Sequence, residues 1–275
     1  MTKRNTLRWI FVSLVLLSFL WIGCGEKALQ LRFKFNEGDE HKYSLIQDSV
    51  TTTEFMGKKM EMPSKTEITL TQKVEKVDQG IAELNVTYDT FNMEMNVGGK
   101  QIPSNMGKSM VGKINIMKIR ENGEIIEPKG VKAMVGLQGL GSDIKNIFFS
   151  LYPQFPEDKL KAGNSWTQKQ EIPQSQMGVV IEYQYTLTKL EKKKEYDCAV
   201  LDYTIAMTIE GGEQAKMNMK GSGKGKGTTY FAYEKGLLVE SEVEMDLTMS
   251  IFAPLPTGEQ EIPTSTHQTI KLSLM

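Results

Sequence analysis

The sequence predicts a mainly β fold: two similar antiparallel β-meander halves, curved sheets or a half-barrel, joined by a short helical connector. Three observations lead there. Alternating and β-branched runs recur between Gly, Asn and Lys-rich breaks, while helical periodicity is scarce. Asn122-Gly123 and Lys235-Gly236 stand between strand-like runs, as hairpin turns do, because a positive φ is needed there and Gly or Asn supplies it at little steric cost. Finally, the chain repeats three landmarks in one order, at offsets that fall from about 125 to about 113 residues.

The first element is a leader, residues 1–23. Lys3, Arg4 and Arg8 precede an apolar run from Trp9 to Ile22, closed by Gly23 and Cys24. A basic head, an apolar stretch and a small residue before the processing point make a secretory signal, too short to serve as a membrane span of the mature protein. The run Leu20-Trp21-Ile22-Gly23-Cys24 resembles the lipobox of bacterial lipoproteins, with Trp21 where that family usually has Leu. The resemblance implies that Cys24 receives a diacylglycerol, that cleavage follows just before it, and that the new amino terminus is acylated. Each buried methylene contributes about 0.8 kcal/mol, so two or three acyl chains make release negligible. Gly25 stands where an Asp would resemble an inner-membrane retention signal. The implied location is the cell envelope, at the outer membrane of a two-membrane bacterium, facing the periplasm or the surface.

The first β half is expected over residues 24–129, with strand-like runs at 29–35, 42–50, 66–77, 81–95 and 113–120. The second is expected over 162–275, with runs at 179–190, 198–209, 227–233, 237–249 and 265–274. The repeat joins them. Phe35-Asn36-Glu37-Gly38 through Tyr43 matches Leu160 through Trp166, each a Gly-turn before an aromatic. Val74-Glu75-Lys76 with Ala82 to Val86 matches Leu190-Glu191-Lys192 with Ala199 to Tyr203. Arg120 to Glu127 matches Tyr233 to Glu240. Between the halves, over 130–161, apolar residues at spacings of three and four suggest one or two short helices, broken at Gly139-Leu140-Gly141 and ended by Pro153 and Pro156. Such a segment would cap a β core or act as a lid over it.

This layout, with the Gly163-Asn164-Ser165-Trp166 turn, resembles a domain family of unknown function in bacterial envelope lipoproteins, which carries no established chemistry to transfer. Looser similarity exists to lipoprotein-carrier and lipid-binding folds, in which a strongly curved sheet cups an acyl chain; that comparison rests on architecture.

Composition narrows the function. A net charge of −1 with lysines and acids interspersed argues against a nucleic-acid footprint. Cys198, in the apolar run Cys198-Ala199-Val200-Leu201, has no disulfide partner once Cys24 is lipidated and reads as a small buried hydrophobe. His41 and His267 stand in no metal-ligand or catalytic spacing. Gly221-Ser222-Gly223-Lys224-Gly225-Lys226-Gly227 lacks the P-loop spacing and reads as a solvated hairpin. Glu240, Glu242, Glu244 and Asp246 alternate with Val243, Met245 and Leu247, which marks the solvent side of a strand. No catalytic residue, metal site or cofactor is therefore expected.

Methionine is the compositional oddity: there are 17. Met60 and Met62, Met93 and Met95, and Met217 and Met219 are pairs two apart, and in a strand such pairs share a face. Each would offer two thioethers to one Cu(I), but no His or Cys partner lies nearby. The favoured reading is an apolar-ligand face made of Met93, Met95, Met207, Met217 and Met219, with Phe148 and Phe149 of the connector as its cover. The expected protein is a lipid-anchored, non-catalytic envelope protein that binds a lipid or other apolar ligand on a curved β face. The alternatives are a scaffolding lipoprotein that meets a protein partner through its edge strands, and periplasmic Cu(I) binding. Replacing Cys24 by Ser is expected to abolish incorporation of labelled palmitate and to move the chain out of the membrane fraction on cell fractionation.

Overall fold

The computed structural model describes residues 28–55, 57–103, 110–129, 152–174, 177–211, 218–255 and 258–275. The chain forms one antiparallel sheet of twelve strands. These are β1 (Glu40–Phe55), β2 (Lys58–Asp78), β3 (Ile81–Val97), β4 (Lys100–Pro103), β5 (Ile114–Arg120), β6 (Ile125–Lys129), β7 (Ser165–Gln174), β8 (Met177–Lys193), β9 (Tyr196–Gly211), β10 (Asn218–Ala232), β11 (Leu237–Leu255) and β12 (Gly258–Leu274). Their order is β6-β5-β3-β2-β1-β12-β11-β10-β9-β8-β7, with β4 beside β3. Each part of the chain is a meander, and the two meet where β1 pairs with β12, from Tyr43 opposite Leu274 to Thr53 opposite Thr264. The sheet is not closed: β6 and β7 end it.

The first landmark of the sequence repeat falls on turns with matching hydrogen bonds. The Gly38 amide donates to the Val74 carbonyl and the Val74 amide to the Asp39 carbonyl (2.8 and 2.9 Å). Likewise the Gly163 amide donates to Leu187 and the Leu187 amide to Asn164 (2.7 and 2.9 Å). A bulge follows each, at Val74/Lys76 and Leu187/Lys189. The next strands open from non-glycine residues with positive φ, Gln79 (49°) and Lys194 (54°). The hydrogen bonds thus match Val74 with Leu187, three residues before the Leu190 that alternation alone selects.

One expectation is corrected, and the described residues reach only the end of another. Residues 29–35 are not a strand; they run along the inside of the sheet, joined to residues 152–160 by the Leu29–Leu160 bridge. Of the expected helical connector, 130–151 lie outside the described residues, and 152–161 hold no helix. Pro153 and Pro156 lack backbone donors, which suits an irregular path bonded by side chains. The Gln154 amide donates to Gln168 Oε1 (3.1 Å), Trp166 Nε1 donates to the Gln154 carbonyl (2.8 Å), and the Phe155 amide donates to Asn122 (2.8 Å). Residues 154 and 155 therefore link β7 to the β5–β6 turn, across the gap between the two sheet edges.

The same inner segment measures the curvature. The Phe33 amide donates to the Glu121 carbonyl (2.7 Å) in the β5–β6 turn, and the next amide, Lys34, donates to Gly236 (3.0 Å) in the β10–β11 turn. β5 and β10 lie far apart in the strand order, so the sheet must curl to bring both turns to adjacent residues. The core fills this curl. Phe33 packs against Phe231, Tyr152 and Phe155 at ring-centre distances of 5.0, 5.6 and 5.6 Å, and Phe155 against Phe231 at 4.6 Å. Around them lie Leu31, Tyr43, Leu45, Leu70, Leu84, Ile119, Tyr185, Leu187, Leu201 and Leu272, all buried.

At two turns glycine is required by space as well as by backbone. A Cβ at Gly123 (φ 90°) would strike the Pro153 carbonyl, and one at Gly236 would strike the Lys34 backbone. Gly38 has nearly the same φ (88°) with open space around it. Gly38→Ala should cost about 1–2 kcal/mol, from the left-handed backbone alone. Gly123→Ala should cost about 1–3 kcal/mol more, from overpacking. Urea unfolding of the two variants checks this, and equal losses would show that the close approach at Gly123 constrains nothing.

Candidate functional site: the methionine face

Strand alternation divides the sheet into two chemically distinct faces. In β10 the residues Lys220, Ser222, Lys224, Lys226 and Thr228 share one face, and Gly221, Gly223, Gly225 and Gly227 share the other. In β11 opposite, Glu242, Glu244 and Asp246 lie outside, and Val243, Met245, Leu247 and Met249 inside. Outside, Lys226 pairs with Glu244 (3.1 Å) and Lys271 with Glu242 (3.4 Å). The acid alternation read from the sequence thus marks a solvent face at Glu242, Glu244 and Asp246, whereas Glu240 is buried and paired with Lys193 (2.8 Å). The glycine run, by contrast, is not a solvated hairpin; it is an internal strand in unbroken register with β9 and β11 up to Tyr230.

The glycines shape the sheet. Ideal Cβ atoms on Gly221 and Gly225 would lie 2.9 and 2.8 Å from the Thr248 and Glu244 carbonyls, and one on Gly227 would enter the Tyr203 ring. Such approaches are tighter than side chains tolerate, so the sheet creases inward along β10. Cα atoms of β9 and β11 come within 8 Å of each other across it. A strand without inner side chains permits this bend, as glycine does where another backbone approaches closely.

The inner face continues beyond the packed core and carries the methionines. Met60 and Met62 of β2, Met93 and Met95 of β3, Met117 of β5, Met207 of β9, Met219 of β10, and Met245 and Met249 of β11 all fall on it, by register with Thr53, Thr51, Thr66, Ser64, Leu84, Gly223, Ile251, Gly225 and Gly221. Met117 is buried, Met93 and Met207 pack against the core, and Met60 is exposed. Of the residues the sequence singled out, Met93, Met95, Met207 and Met219 are thus brought to one face. Met217, Phe148, Phe149 and Cys24 lie outside the described residues. Sequence reasoning missed Met245 and Met249, whose signal was their alternation with Glu244, Asp246 and Thr248.

Along the centre of this face the polar side chains satisfy one another. Gln47 donates to Gln268 (3.0 Å), Ser49 bonds Ser64 (2.8 Å), Thr51 bonds Thr266 (3.0 Å) and Thr53 bonds Thr264 (3.3 Å). Thr51, Thr264 and Gln268 are buried. Hydroxyls paired in this way need no water, and the threonines present methyl groups.

Other chemistry is placed apart. His267 Nδ1 bonds Asp246 Oδ1 at 2.8 Å on the outer face. Ser49 and Ser64 contribute to the same shallow depression, of ≈ 440 Å³, that His267 lines. Their positions on the strands put both hydroxyls on the inner face, bonded to each other, so neither forms a relay with His267. Among the described residues no three of His, Cys, Asp and Glu group so as to hold a metal ion. Cys198 is buried on the outer side with Ala232 and Val239.

No family model matches the chain, and no curated protein matches it. Solved structures similar to it include that of lipovitellin described as showing lipid–protein interactions (TM-score 0.49, 11% identity), which covers 88% of this chain and 25% of its own. The chain thus spans a quarter of that protein. A DUF1329 family protein from Desulfovibrio piger covers 82% of this chain and 83% of its own (TM-score 0.17, 11% identity). OmpT, an outer membrane protein of Vibrio cholerae in a loop-deleted form, covers 87% of this chain and 100% of its own (TM-score 0.22, 8% identity).

Burial pushes the Cys198 thiol up to about 11, so little thiolate forms near neutral pH. Iodoacetamide at pH 8 should leave Cys198 unmodified in the folded chain and modify it after unfolding in urea, as read by peptide mass mapping.

Proposed function

We propose that this chain is a lipid-anchored, non-catalytic protein of the cell envelope that binds a lipid or other apolar chain on the inner face of its curved sheet. The observation that carries this reading is the segregation of the methionines: among the described residues, those of β2, β3, β5, β9, β10 and β11 lie on one face. Flexible, polarizable thioethers adapt to a chain of variable shape, whereas Val, Ile or Leu would hold a fixed surface. The hydroxyl pairs between the methionine patches support the same reading, because hydroxyls already paired with each other lose little when water leaves them. Exposed apolar surface gathered on one face marks a binding or interaction site.

The anchor and the envelope location rest on the leader and Cys24. The non-catalytic reading is supported by the separation of His267 from Ser49 and Ser64 by the thickness of the sheet. The crease along β10 gives the face its concavity and lets the Met207 and Met245 sides approach each other.

Native mass spectrometry with lipid extraction, on the full chain purified from a bacterial envelope fraction, tests the reading. A stoichiometric apolar ligand is expected. The double variant Met93→Asp/Met245→Asp should lower its recovery at least about tenfold, since each carboxylate would have to lose its water to accept the chain. A chain recovered empty, or a variant that retains the ligand as well as the parent does, would sink the proposal.

A further inference from the structure

Four buried side-chain polar atoms have no hydrogen-bond partner among the described residues: Tyr88 Oη, Asn115 Nδ2, Gln170 Oε1 and Tyr183 Oη. Their arrangement is ordered. Asn115 of β5 stands opposite Val86 of β3, and Tyr88 lies two residues further along β3 on the same inner face. On the other flank, Gln170 of β7 stands opposite Ile181 of β8, with Tyr183 two residues further. Each flank of the sheet therefore presents a phenol and a carboxamide as diagonal cross-strand neighbours, a separation that long side chains span. Tyr88 and Tyr183 are 0% and 1% exposed.

Buried polar groups left unpaired are rare, and each calls for a partner. The β3–β5 pair offers two donors, a phenol O–H and an amide N–H. The β7–β8 pair offers one donor and one acceptor. Two donors suit an oxygen with lone pairs. From Tyr88 the inner face of β3 continues through Phe91 to Met93 and Met95, past the bulge opposite Thr69 and Leu70. A hydrogen-bond-accepting head at Tyr88 would thus sit at the core end of an apolar path.

Resting on the apolar-ligand reading above, we infer that the β3–β5 pair fixes the ligand's head: Tyr88 Oη and Asn115 Nδ2 donate to a carboxyl oxygen of a long-chain acyl ligand whose chain runs over Met93 and Met95. The ligand class is then an acyl carboxylate or its ester and not a plain hydrocarbon. Burial raises the Tyr88 phenol above its ordinary range, so it keeps its proton and remains a donor.

The test compares palmitate with hexadecane, which has the same chain length and no acceptor, by native mass spectrometry of the delipidated full chain. Tyr88→Phe removes one oxygen and Asn115→Leu removes the amide at similar size, and circular dichroism melting establishes that both variants fold. The parent chain is expected to bind both probes, palmitate more tightly. Each variant should lose palmitate about tenfold and keep hexadecane unchanged. Equal palmitate binding by parent and variants, with hexadecane still bound, would overturn the head-group assignment and leave the methionine face standing. Binding of neither probe by the parent would overturn both.

Discussion

The curl of the sheet depends on the segment of residues 29–35 held inside it. Two successive backbone amides, Phe33 and Lys34, bond turns that belong to distant strands, β5–β6 and β10–β11. Those turns accept the segment only because Gly123 and Gly236 leave room for a neighbouring backbone. Phe33 then supplies the centre of an aromatic cluster with Tyr152, Phe155 and Phe231, in which each pair contributes about 0.5–1.5 kcal/mol beyond its burial. An open sheet with one apolar face has to bury that face against something. Here the chain supplies it from its own irregular segments.

A second constraint follows from the first. A sheet curls tightly where a strand tolerates a sharp bend, and β10 does so between Gly221 and Gly227, where inner side chains are absent. The same alternation that removes them places lysines on the outer face, against the acids of β11. One period-2 pattern therefore sets curvature inside and charge pairing outside. The consequence for function is geometric: the crease turns the methionines of β9 and β11 toward one another, and β2 and β3 carry theirs on the same concave side.

Much of the fold was legible. The runs at 66–77, 81–95, 179–190 and 198–209 fall within β2, β3, β8 and β9, and Asn122-Gly123 and Lys235-Gly236 occupy the hairpin turns. Period 2 is a local signal, and strands this long repeat it many times. Residues 29–35 misled because apolar alternation also suits an extended segment buried inside a sheet without ladder bonds. The glycine run misled for the opposite reason: composition said flexible, but its neighbours in the sheet hold it straight in register. For the site, Met93 and Met95 could be placed on one face from their spacing. Met245 and Met249 could have been found from the alternation of β11. Tyr88 and Asn115 could not, since neither is unusual until its polar atom is buried with no partner among the described residues.

By itself the sequence determined the mainly β fold class, the turns at Asn122-Gly123 and Lys235-Gly236 and which residues of each strand share a face, because these depend on backbone geometry within a few residues. Only the tertiary structure decided that β1 and β12, the first and last strands, pair at the centre, that one sheet contains both parts of the chain, and that its methionines gather on the concave side. Those outcomes rest on hydrogen bonds and close approaches between residues up to about 230 positions apart, such as Tyr43 with Leu274 and Lys34 with Gly236. No local pattern encodes such pairings; they follow from burying one face of the whole sheet at once.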